Sequence, residues 1–176
     1  MKKAHICIFI SLLIIWPTML LAVTEHQLKA AYLYNITKFI QWPENAFQSK
    51  NDPIRLCIIG KHFFENSLKP LEKKSVASRN FELFYFENSS KATNCHISYL
   101  STSQKNILQE ELSLLESKSM MTISDIHAFA EQGGMIELRK QKNKIRMYIN
   151  LQALSIKNLY LSSKLLELST IVEDQK

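Results

Sequence analysis

The chain has 176 residues, a formal net charge of +6 at pH 7 and 22% charged residues. This length is typical of one domain with a single core once a leader has been removed. The mild basic excess contains no block of like charges, and the motifs of nucleic-acid-binding domains are absent, so we expect no nucleic acid as a partner.

Residues 1–22 are predicted to be a cleavable signal peptide. Two lysines open the segment, an apolar run follows from Ile6 to Leu21, and Ala22 provides a small residue at the cleavage position. The alternative is an uncleaved membrane anchor, but Pro17 interrupts the run, which also falls short of the ~20 residues that a spanning helix needs. We therefore expect export and one mature domain, residues 23–176.

The first segment of the mature domain, residues 29–43 (KAAYLYNITKFIQWP), is predicted to be an amphipathic helix. It should end near Trp42, because Pro43 disfavours helical geometry at the residue before it. Helical spacing separates a broad apolar face from a polar one. The apolar face comprises Leu28, Ala31, Tyr32, Asn35, Ile36, Phe39 and Ile40, and the opposite face Lys29, Thr37 and Gln41.

Tyr34, Lys38 and Trp42 follow one another at a spacing of four residues and therefore share the border of the apolar face. One interpretation is a structural helix edge, covered by two aromatic rings and a lysine stem. The other is a partner-binding strip, because tyrosine and tryptophan are enriched at the hot spots of protein interfaces. Both interpretations stay open at this point.

Short apolar and β-branched runs separated by turn residues predict a series of strands. The first has the unbroken apolar character of a central strand buried on both faces, and Gly60 ends it. The last two are joined by a short polar link and are predicted to form an antiparallel hairpin. In chain order the predicted strands are Ile54–Gly60, Asn80–Phe86, Cys95–Leu100, Met120–Ile123, Met135–Arg139 and Lys144–Asn150.

Helices are predicted between these strands and at the carboxyl end of the chain. Side-chain oxygens of serine and aspartate suit the helix starts, and glycine or asparagine in the left-handed conformation suits the ends. The predicted helices are His62–Leu71, Gln104–Ser117 with Ser101 or Ser103 as its cap, a short helix through Ala130 that Ser124 or Asp125 caps and Gly133 and Gly134 end, a turn of helix from Leu151 to Asn158, and a final helix from Ser162 or Ser163 to near Val172.

The alternation of strands and helices predicts the fold class, a single-domain α/β sandwich. Its central sheet should be mostly parallel, with about five to six strands flanked by helices. The antiparallel hairpin near residues 135–150 should lie toward one edge, because polar side chains alternate with apolar ones in its second strand.

Residues for catalysis, for a metal or for a cofactor do not form a recognisable motif. Cys95 precedes His96, but neighbours on a strand point to opposite faces, which favours structural roles for both. Ser124 and Asp125 stand at a predicted helix start, where capping explains them better than catalysis. We therefore expect no enzymatic activity, no metal and no cofactor. The histidines of the mature chain also lack ligand spacing: His26, His62, His96 and His127.

Cys57 and Cys95 are the two cysteines of the predicted mature chain. In an oxidising compartment, two cysteines favour a single disulfide. The alternative is a pair of buried free thiols, which are common in apolar strands.

Five segments of the chain occur together in one order. They are KAAYLYNITKFIQWP, IRLCIIG, CHISYLS, MTISDIHAFAEQGGMIEL and INLQALSIKNLYLSSKLLEL. In this set the chain resembles the YfiR family of exported proteins, also known through its HmsC-type members, from about Leu28 to Val172.

The resemblance implies a non-enzymatic regulator located in the periplasm. Proteins of this family repress a membrane-bound diguanylate cyclase by binding its periplasmic sensor domain, which lowers cyclic di-GMP and the output of exopolysaccharide and biofilm. The resemblance further implies that an outer-membrane, peptidoglycan-associated lipoprotein sequesters the repressor, and that the repressor often forms a homodimer.

The resemblance also implies roles for individual positions. Cys57 and Cys95 fall where the family places a disulfide between strands. A second cysteine pair, which some members carry near the Gly133–Gly134 region, is missing here, so redox control through that pair is not expected. The other family-like positions are Lys29, Ala30, Tyr32, Asn35, Lys38, Phe39, Trp42, Pro43, Gly60, His96, Ser124, Asp125, Phe129, Asn150, Ser162, Ser163 and Leu165.

Two hypotheses for function follow. The first is a periplasmic repressor that acts by protein contact, with Tyr34, Lys38 and Trp42 as a contact site. The second is a periplasmic small-molecule sensor or solute-binding protein, because ligands bind at the carboxyl ends of parallel strands in such sheets. Its site would lie in the loops after Gly60, Ser101 and Ile123.

Overall fold

A computed structural model describes residues 23–61, 65–142 and 144–174. The predicted signal peptide and the first part of the predicted helix His62–Leu71 lie outside the described residues. The α-helices are α1 (Glu25–Thr37), α2 (Glu65–Leu68), α3 (Leu108–Glu116), α4 (Leu151–Ile156) and α5 (Ser163–Leu166). The strands are β1 (Ile40–Gln41), β2 (Ile54–Ile59), β3 (Ser75–Val76), β4 (Arg79–Phe86), β5 (Ile97–Leu100), β6 (Met121–Ser124), β7 (Ile136–Gln141), β8 (Lys144–Asn150), β9 (Tyr160–Leu161) and β10 (Ser169–Val172). Short 3-10 helices span Glu44–Ala46, Lys69–Lys73, Ser89–Lys91 and Thr102–Ile107.

The main sheet has eight strands in the order β10-β8-β7-β6-β5-β2-β4-β3. Strands β4, β2, β5, β6 and β7 run parallel to one another, and β10 runs parallel to β8. The pairs β7–β8 and β3–β4 are antiparallel. The mostly parallel sheet and the hairpin near residues 135–150 are therefore confirmed, with additional short strands at both edges of the sheet.

Helices cover both faces of this sheet, and the alternation of β2 divides its side chains between two cores. Ile58 packs with Leu33 and Ile36 of α1 on one face. Ile59 packs with Leu108 of α3 on the other. Both isoleucines are fully buried, which confirms the predicted two-sided burial, and each such side chain contributes about 1.5–3 kcal/mol to stability.

Helix α1 ends earlier than predicted. Its last residue is Thr37, and the chain continues into β1, which pairs with β9 so that Ile40 faces Leu161. The prediction of a helix to Trp42 is wrong, because antiparallel pairing with a distant strand ends the helix before Pro43 can act on it.

Helix α1 also buries a different face from the one predicted. Ala31 and Asn35 are exposed, whereas Lys29 and Thr37 are buried. The hydroxyl of Thr37 donates to the carbonyl oxygen of Tyr34 at 2.6 Å, and Lys29 forms ion pairs that are described below. Polar side chains become buried where internal partners satisfy them, and helical spacing alone does not indicate such partners.

The chain ends in a strand where a helix was predicted. Helix α5 covers a single turn, and β10 pairs with β8 so that Ile171 lies beside Ile149. The prediction of a helix to Val172 is wrong, because three of the four residues of β10 are β-branched and favour extended structure. Ser162 occupies the N-cap position of α5, yet its side chain makes no capping hydrogen bond there. Its carbonyl oxygen accepts from Leu166 at 3.2 Å.

The segment between β6 and β7 forms turns and not the predicted short helix. Ala128 adopts a positive φ of 58°, which interrupts helical geometry. Gly133 has a φ of 99°, so one of the two glycines takes the left-handed conformation as predicted. A side chain at Gly134 would overlap the ring of Phe129, so that position requires the close approach that only glycine allows.

The other predicted helices form in shorter versions. Ser101 caps the helical segment before β6 with its side-chain oxygen, although the first part of that segment is a 3-10 helix that only then continues as α3. Asn158 has a φ of 53° after α4, as expected for an asparagine at a helix end. Within the part of the chain that the structure describes, we find no helix with the length and apolar character that crossing a membrane requires.

Candidate functional site

The disulfide between Cys57 and Cys95 joins β2 to the segment that enters β5. Their Cα atoms are 5.9 Å apart, and both side chains are buried in the core beneath α3. The structure therefore places together the two cysteines that the family resemblance pairs. The loop they close, with a separation of 38 residues, stabilises the fold by about 3–4 kcal/mol in the chain-entropy model.

His96 is held as a neutral ring. Its Nδ1 atom accepts from the backbone N–H of Arg55 at 2.9 Å, and its Nε2 atom lies 3.0 Å from the carbonyl oxygen of Ala46, so the proton sits on Nε2. Burial lowers the pKa of His96 below its ordinary value. Because Cys95 is oxidised and both ring nitrogens are engaged, this pair supplies neither a thiolate nor a free base.

An aromatic cluster of Trp42, Phe47 and His96 lies beside the start of β5. The ring of Phe47 stacks on His96 with centroids 4.4 Å apart, and Trp42 stands edge-on to both rings. The guanidinium of Arg79 lies 3.8 Å from the Phe47 centroid and donates to the carbonyl oxygen of Asp52 at 2.8 Å. These contacts hold the loop between β1 and β2 against the sheet.

The predicted contact strip on α1 is divided by the structure. Lys38 Nζ lies 4.0 Å from the ring centroid of Tyr34, and Lys74 Nζ lies 5.1 Å from the same centroid. Trp42 lies beyond the end of α1, in the aromatic cluster. Tyr34, Lys38 and Lys74 thus form one cation–aromatic patch without Trp42, and partner binding at this patch stays a prediction.

A buried ion-pair cluster anchors the start of α1 to the carboxyl end of β6. Lys29 Nζ lies 2.5 Å from Asp125 Oδ2 and 2.7 Å from Glu25 Oε1, and only 7% of the Lys29 side chain is exposed. Lys140 from β7 completes the cluster, with its Nζ 2.6 Å from Glu25 Oε2. The sequence analysis missed this cluster, because Lys29 was expected on the exposed face and its partner Asp125 lies 96 residues further along.

The cluster shifts the pKa values of its members. Burial disfavours the charge on Lys29, but the hydrogen bonds that Lys29 donates to Asp125 and Glu25 outweigh burial and raise the Lys29 pKa. Hydrogen bonds with Lys140 and Lys29 lower the pKa of Glu25 to about 2. Burial, together with the nearby Asp125 carboxylate, raises the pKa of Tyr99 well above its ordinary value. The cluster is therefore a stable ionic link in neutral solution.

Ser124 and Asp125 have separate structural roles. Ser124 Oγ accepts from the backbone N–H of Ile126 at 3.0 Å and donates to the carbonyl oxygen of Leu100 at 2.7 Å, which stabilises the turn after β6. Asp125 binds Lys29 and does not cap a helix. The prediction that Ser124 or Asp125 caps a helix is therefore wrong. Ser124 stabilises the turn after β6, and Asp125 forms an ion pair with Lys29 of α1.

Side chains pack closely beside Gly60, where β2 and β5 end and a ligand crevice was predicted. Gly60 has a φ of 89°, and the space beside its Cα atom is occupied by the side chains of Ser101, Ser103 and Gln104. The N–H of Lys61 donates to Ser103 Oγ at 2.9 Å, so the two loops pack against each other. This packing narrows the space beside Gly60, and a small-molecule site at the carboxyl ends of the strands stays a prediction.

The outer edge of β10, which we call the C-terminal edge (Leu168–Val172), pairs with no other strand among the described residues. In the described sheet β10 pairs only with β8. Leu168 is 74% exposed and Ile171 is 45% exposed, and the strand contains no charge and no proline. Natural edge strands are usually protected by such residues, since an open edge presents backbone N–H and C=O groups to any other strand. The C-terminal edge therefore has the chemistry of a docking site for extended backbone.

The described ranges contain no group of three or more His, Cys, Asp or Glu side chains arranged to hold a metal ion. The fold and its surfaces define a disulfide-linked α/β domain that presents an apolar strand edge and a cation–aromatic patch. The chain belongs to the YfiR/HmsC-like family, whose model matches residues 26–170. This family is periplasmic and regulatory, and membership suggests a regulator of a diguanylate cyclase.

The chain matches no curated protein sequence. Among solved structures, it is similar to a conserved domain protein from Vibrio cholerae O1 biovar El Tor, with a TM-score of 0.58 and 9% sequence identity. The match covers 84% of this chain and 60% of the other chain. At this identity the likeness concerns the fold alone.

Proposed function

We propose that the chain is a periplasmic repressor that binds the periplasmic domain of an inner-membrane diguanylate cyclase and holds the enzyme inactive. Repression would lower cyclic di-GMP and, with it, exopolysaccharide and biofilm formation. Membership of the YfiR/HmsC-like family supports this role.

The observation that carries the proposal is the C-terminal edge. An uncharged strand with Leu168 and Ile171 exposed offers both backbone hydrogen bonds and apolar area to a partner. A strand of the cyclase's periplasmic domain that pairs with β10 would bury both side chains. A second copy of this chain would use the same backbone groups, so homodimer formation and cyclase binding at this edge would exclude each other.

Side chains with catalytic chemistry are held in structural contacts, which supports a role without catalysis. Cys95 is in a disulfide, both nitrogens of His96 are hydrogen-bonded, and Asp125 is paired with Lys29. Each of these groups stabilises the fold through its contact, and a nucleophile or a general base needs the same atoms free.

Repression by binding requires differential affinity. The repressor must bind the inactive arrangement of the cyclase more tightly than the active one, since equal affinity shifts no equilibrium. An outer-membrane, peptidoglycan-associated lipoprotein that binds the repressor would lower its free concentration and release the cyclase by mass action.

The test in cells is deletion of the gene in a strain that expresses a cognate cyclase. Cyclic di-GMP should rise, and expression of the chain in the periplasm should restore the low level. An unchanged cyclic di-GMP level in the deletion strain, with the cyclase detected by immunoblot, contradicts the proposal.

The test in solution is co-purification with the cyclase's periplasmic domain. Ile171→Lys should weaken binding at least about tenfold, because a charge on an open edge opposes strand pairing and the loss of apolar contact adds to it. Ile107→Lys is the matched control, since Ile107 is 44% exposed but lies in the 3-10 helix before α3. If both variants bind the cyclase domain equally well, the domain does not dock at β10. If both lose binding, the effect of Ile171→Lys is not specific to β10.

The cation–aromatic patch is a second proposed contact. Lys38→Glu reverses the charge over the Tyr34 ring and should weaken binding of the cyclase domain or the lipoprotein without a change in melting temperature. If binding holds and the melting temperature falls, Lys38 has a structural role only.

A further inference from the structure

We propose that a polar cleft at the amino ends of β5 and β6 binds a small oxyanion, with a phosphate or carboxylate group as the recognised chemistry. Its lining includes His96 and Met120, which lead into these strands, and also Trp42, Lys118 and Lys157. Its volume of about 380 Å³ lies within the range of small-molecule sites. Gly60 lies at the opposite, carboxyl ends of the strands.

The charge of the cleft lining points to an anion. Among the residues that the structure describes, Lys118 and Lys157 are the charged residues of the lining, and no carboxylate belongs to it. Neither lysine forms an ion pair in the part of the chain that the structure describes, although both are half-buried. By contrast, Lys29 and Arg139, which are also withdrawn from solvent, each contact two carboxylates. Two lining lysines without a carboxylate partner among the described residues give the cleft a net positive charge.

Both ammonium groups are oriented by backbone carbonyl groups. Lys118 Nζ donates to the carbonyl oxygen of Ser89 at 2.7 Å, and Lys157 Nζ donates to the carbonyl oxygen of Glu116. An ammonium group has three N–H donors, so each lysine retains two for a ligand. The carbonyl contacts also restrict the side chains before binding, which reduces the entropy that a ligand must overcome.

The remaining walls supply neutral polar groups and one aromatic ring. Asn45 and Asn94 line the cleft together with Trp42. The Trp42 ring is held edge-on against Phe47 and His96 with centroids 5.6 and 6.0 Å away, so its position is set before any ligand binds. An aromatic ring attached to the oxyanion would gain contact with it.

Trp42 also reports directly on the cleft. The sequence contains two tryptophans, and the other, Trp16, lies within the predicted signal peptide. The tryptophan fluorescence of residues 23–176, excited selectively over the tyrosines, therefore comes from Trp42 alone. The experiment is a titration of this fluorescence with inorganic phosphate, phenyl phosphate and benzoate, each against sodium chloride at the same ionic strength.

The expected result is a saturable change with an oxyanion and none with chloride. Preference for phenyl phosphate over benzoate identifies the phosphate as the recognised group, and the reverse identifies the carboxylate. Lys118→Gln and Lys157→Gln should each weaken binding about tenfold, since each removes a charged donor. Lys105→Gln is the control, because Lys105 is exposed and lies outside the cleft.

The proposal is overturned if all four salts give the same response, or if Lys157→Gln and the control bind equally well. Lys118→Gln alters a contact with Ser89 and could unfold the protein, so thermal melting accompanies each titration. Lys157→Gln leaves the Ser89 contact intact and decides the question if Lys118→Gln does not fold. The measurement uses the isolated mature protein, so its outcome does not depend on repression of a cyclase.

Discussion

Replacing Lys29 by methionine should destabilise the domain strongly. The substitution keeps most of the aliphatic stem but removes the cation from Asp125, whose side chain is only 13% exposed. Loss of one partner from a buried ion pair costs about 3–5 kcal/mol, because the remaining charge stays buried without compensation. For a domain of this size, at about 2–4 °C per kcal/mol, the melting temperature should fall by roughly 6–20 °C.

The geometry also predicts an asymmetry between the two partners. In Asp125→Asn, Lys29 keeps its contact with Glu25 at 2.7 Å, so this variant should lose less stability than Lys29→Met. The double variant Lys29→Met/Asp125→Leu removes both charges and should recover much of the loss, since a buried ion pair and an apolar pair of similar volume often differ little in stability.

Urea denaturation of residues 23–176 with the disulfide intact measures these free energies of unfolding. Lys105→Met serves as the exposed control and should change stability by no more than about 0.5 kcal/mol. A loss below about 1 kcal/mol in Lys29→Met, which is the range of exposed ion pairs, would refute the reasoning. The reasoning would also be refuted if the loss in Lys29→Met/Asp125→Leu equalled the sum of the losses in Lys29→Met and in Asp125→Leu.

Three further predictions concern the disulfide, the buried histidine and a glycine. Reduction of Cys57–Cys95 should lower the free energy of unfolding by about 3–4 kcal/mol; equal urea midpoints for oxidised and reduced protein contradict this. The fold lowers the pKa of His96, so its unfolded state takes up the proton first. The neutral His96 ring therefore contributes to the free energy of unfolding above the unfolded pKa of about 6.5. This stabilisation is lost as the pH falls below that value. The melting temperature should decline between pH 7 and 5, and this decline should be smaller in His96→Gln. If the decline is the same in the variant, His96 is not its cause. Gly134→Ala places a methyl group against the Phe129 ring and should cost about 1–3 kcal/mol, measured by thermal melting; an unchanged melting temperature contradicts the close approach.

Local pattern was sufficient for much of the fold. The apolar run of β2, the alternation of β8 and the polar link before it predict strands and a hairpin, because side-chain direction in a strand depends only on the strand's own period. The left-handed glycine at Gly133, the cap at Ser101 and the turn contact of Ser124 with Ile126 are local as well, since each depends on a few neighbouring residues. The pairing of Cys57 with Cys95 was implied by family resemblance and not by spacing.

The candidate surfaces were less predictable. The strip Tyr34–Lys38–Trp42 assumed a helix that continues to Trp42, and the pairing of β1 with β9 removes that assumption. The C-terminal edge was not predicted, because its residues were assigned to a final helix. The apolar spacing over so few residues does not distinguish a helix from a strand.

The contrast has one physical cause, the distance along the chain between interacting groups. Turns, strand periodicity and caps involve residues a few positions apart, so their energies are encoded in short stretches that can be read directly. The burial of Lys29 depends on a carboxylate 96 residues away, the end of α1 depends on a strand at residues 160–161, and β10 depends on an edge that β8 offers. The cleft beside Trp42 likewise combines residues from segments that only packing brings together. Local sequence therefore determines which elements can form, and long-range contacts determine where the helices end, which lysines are buried and which strand lies at the edge of the sheet.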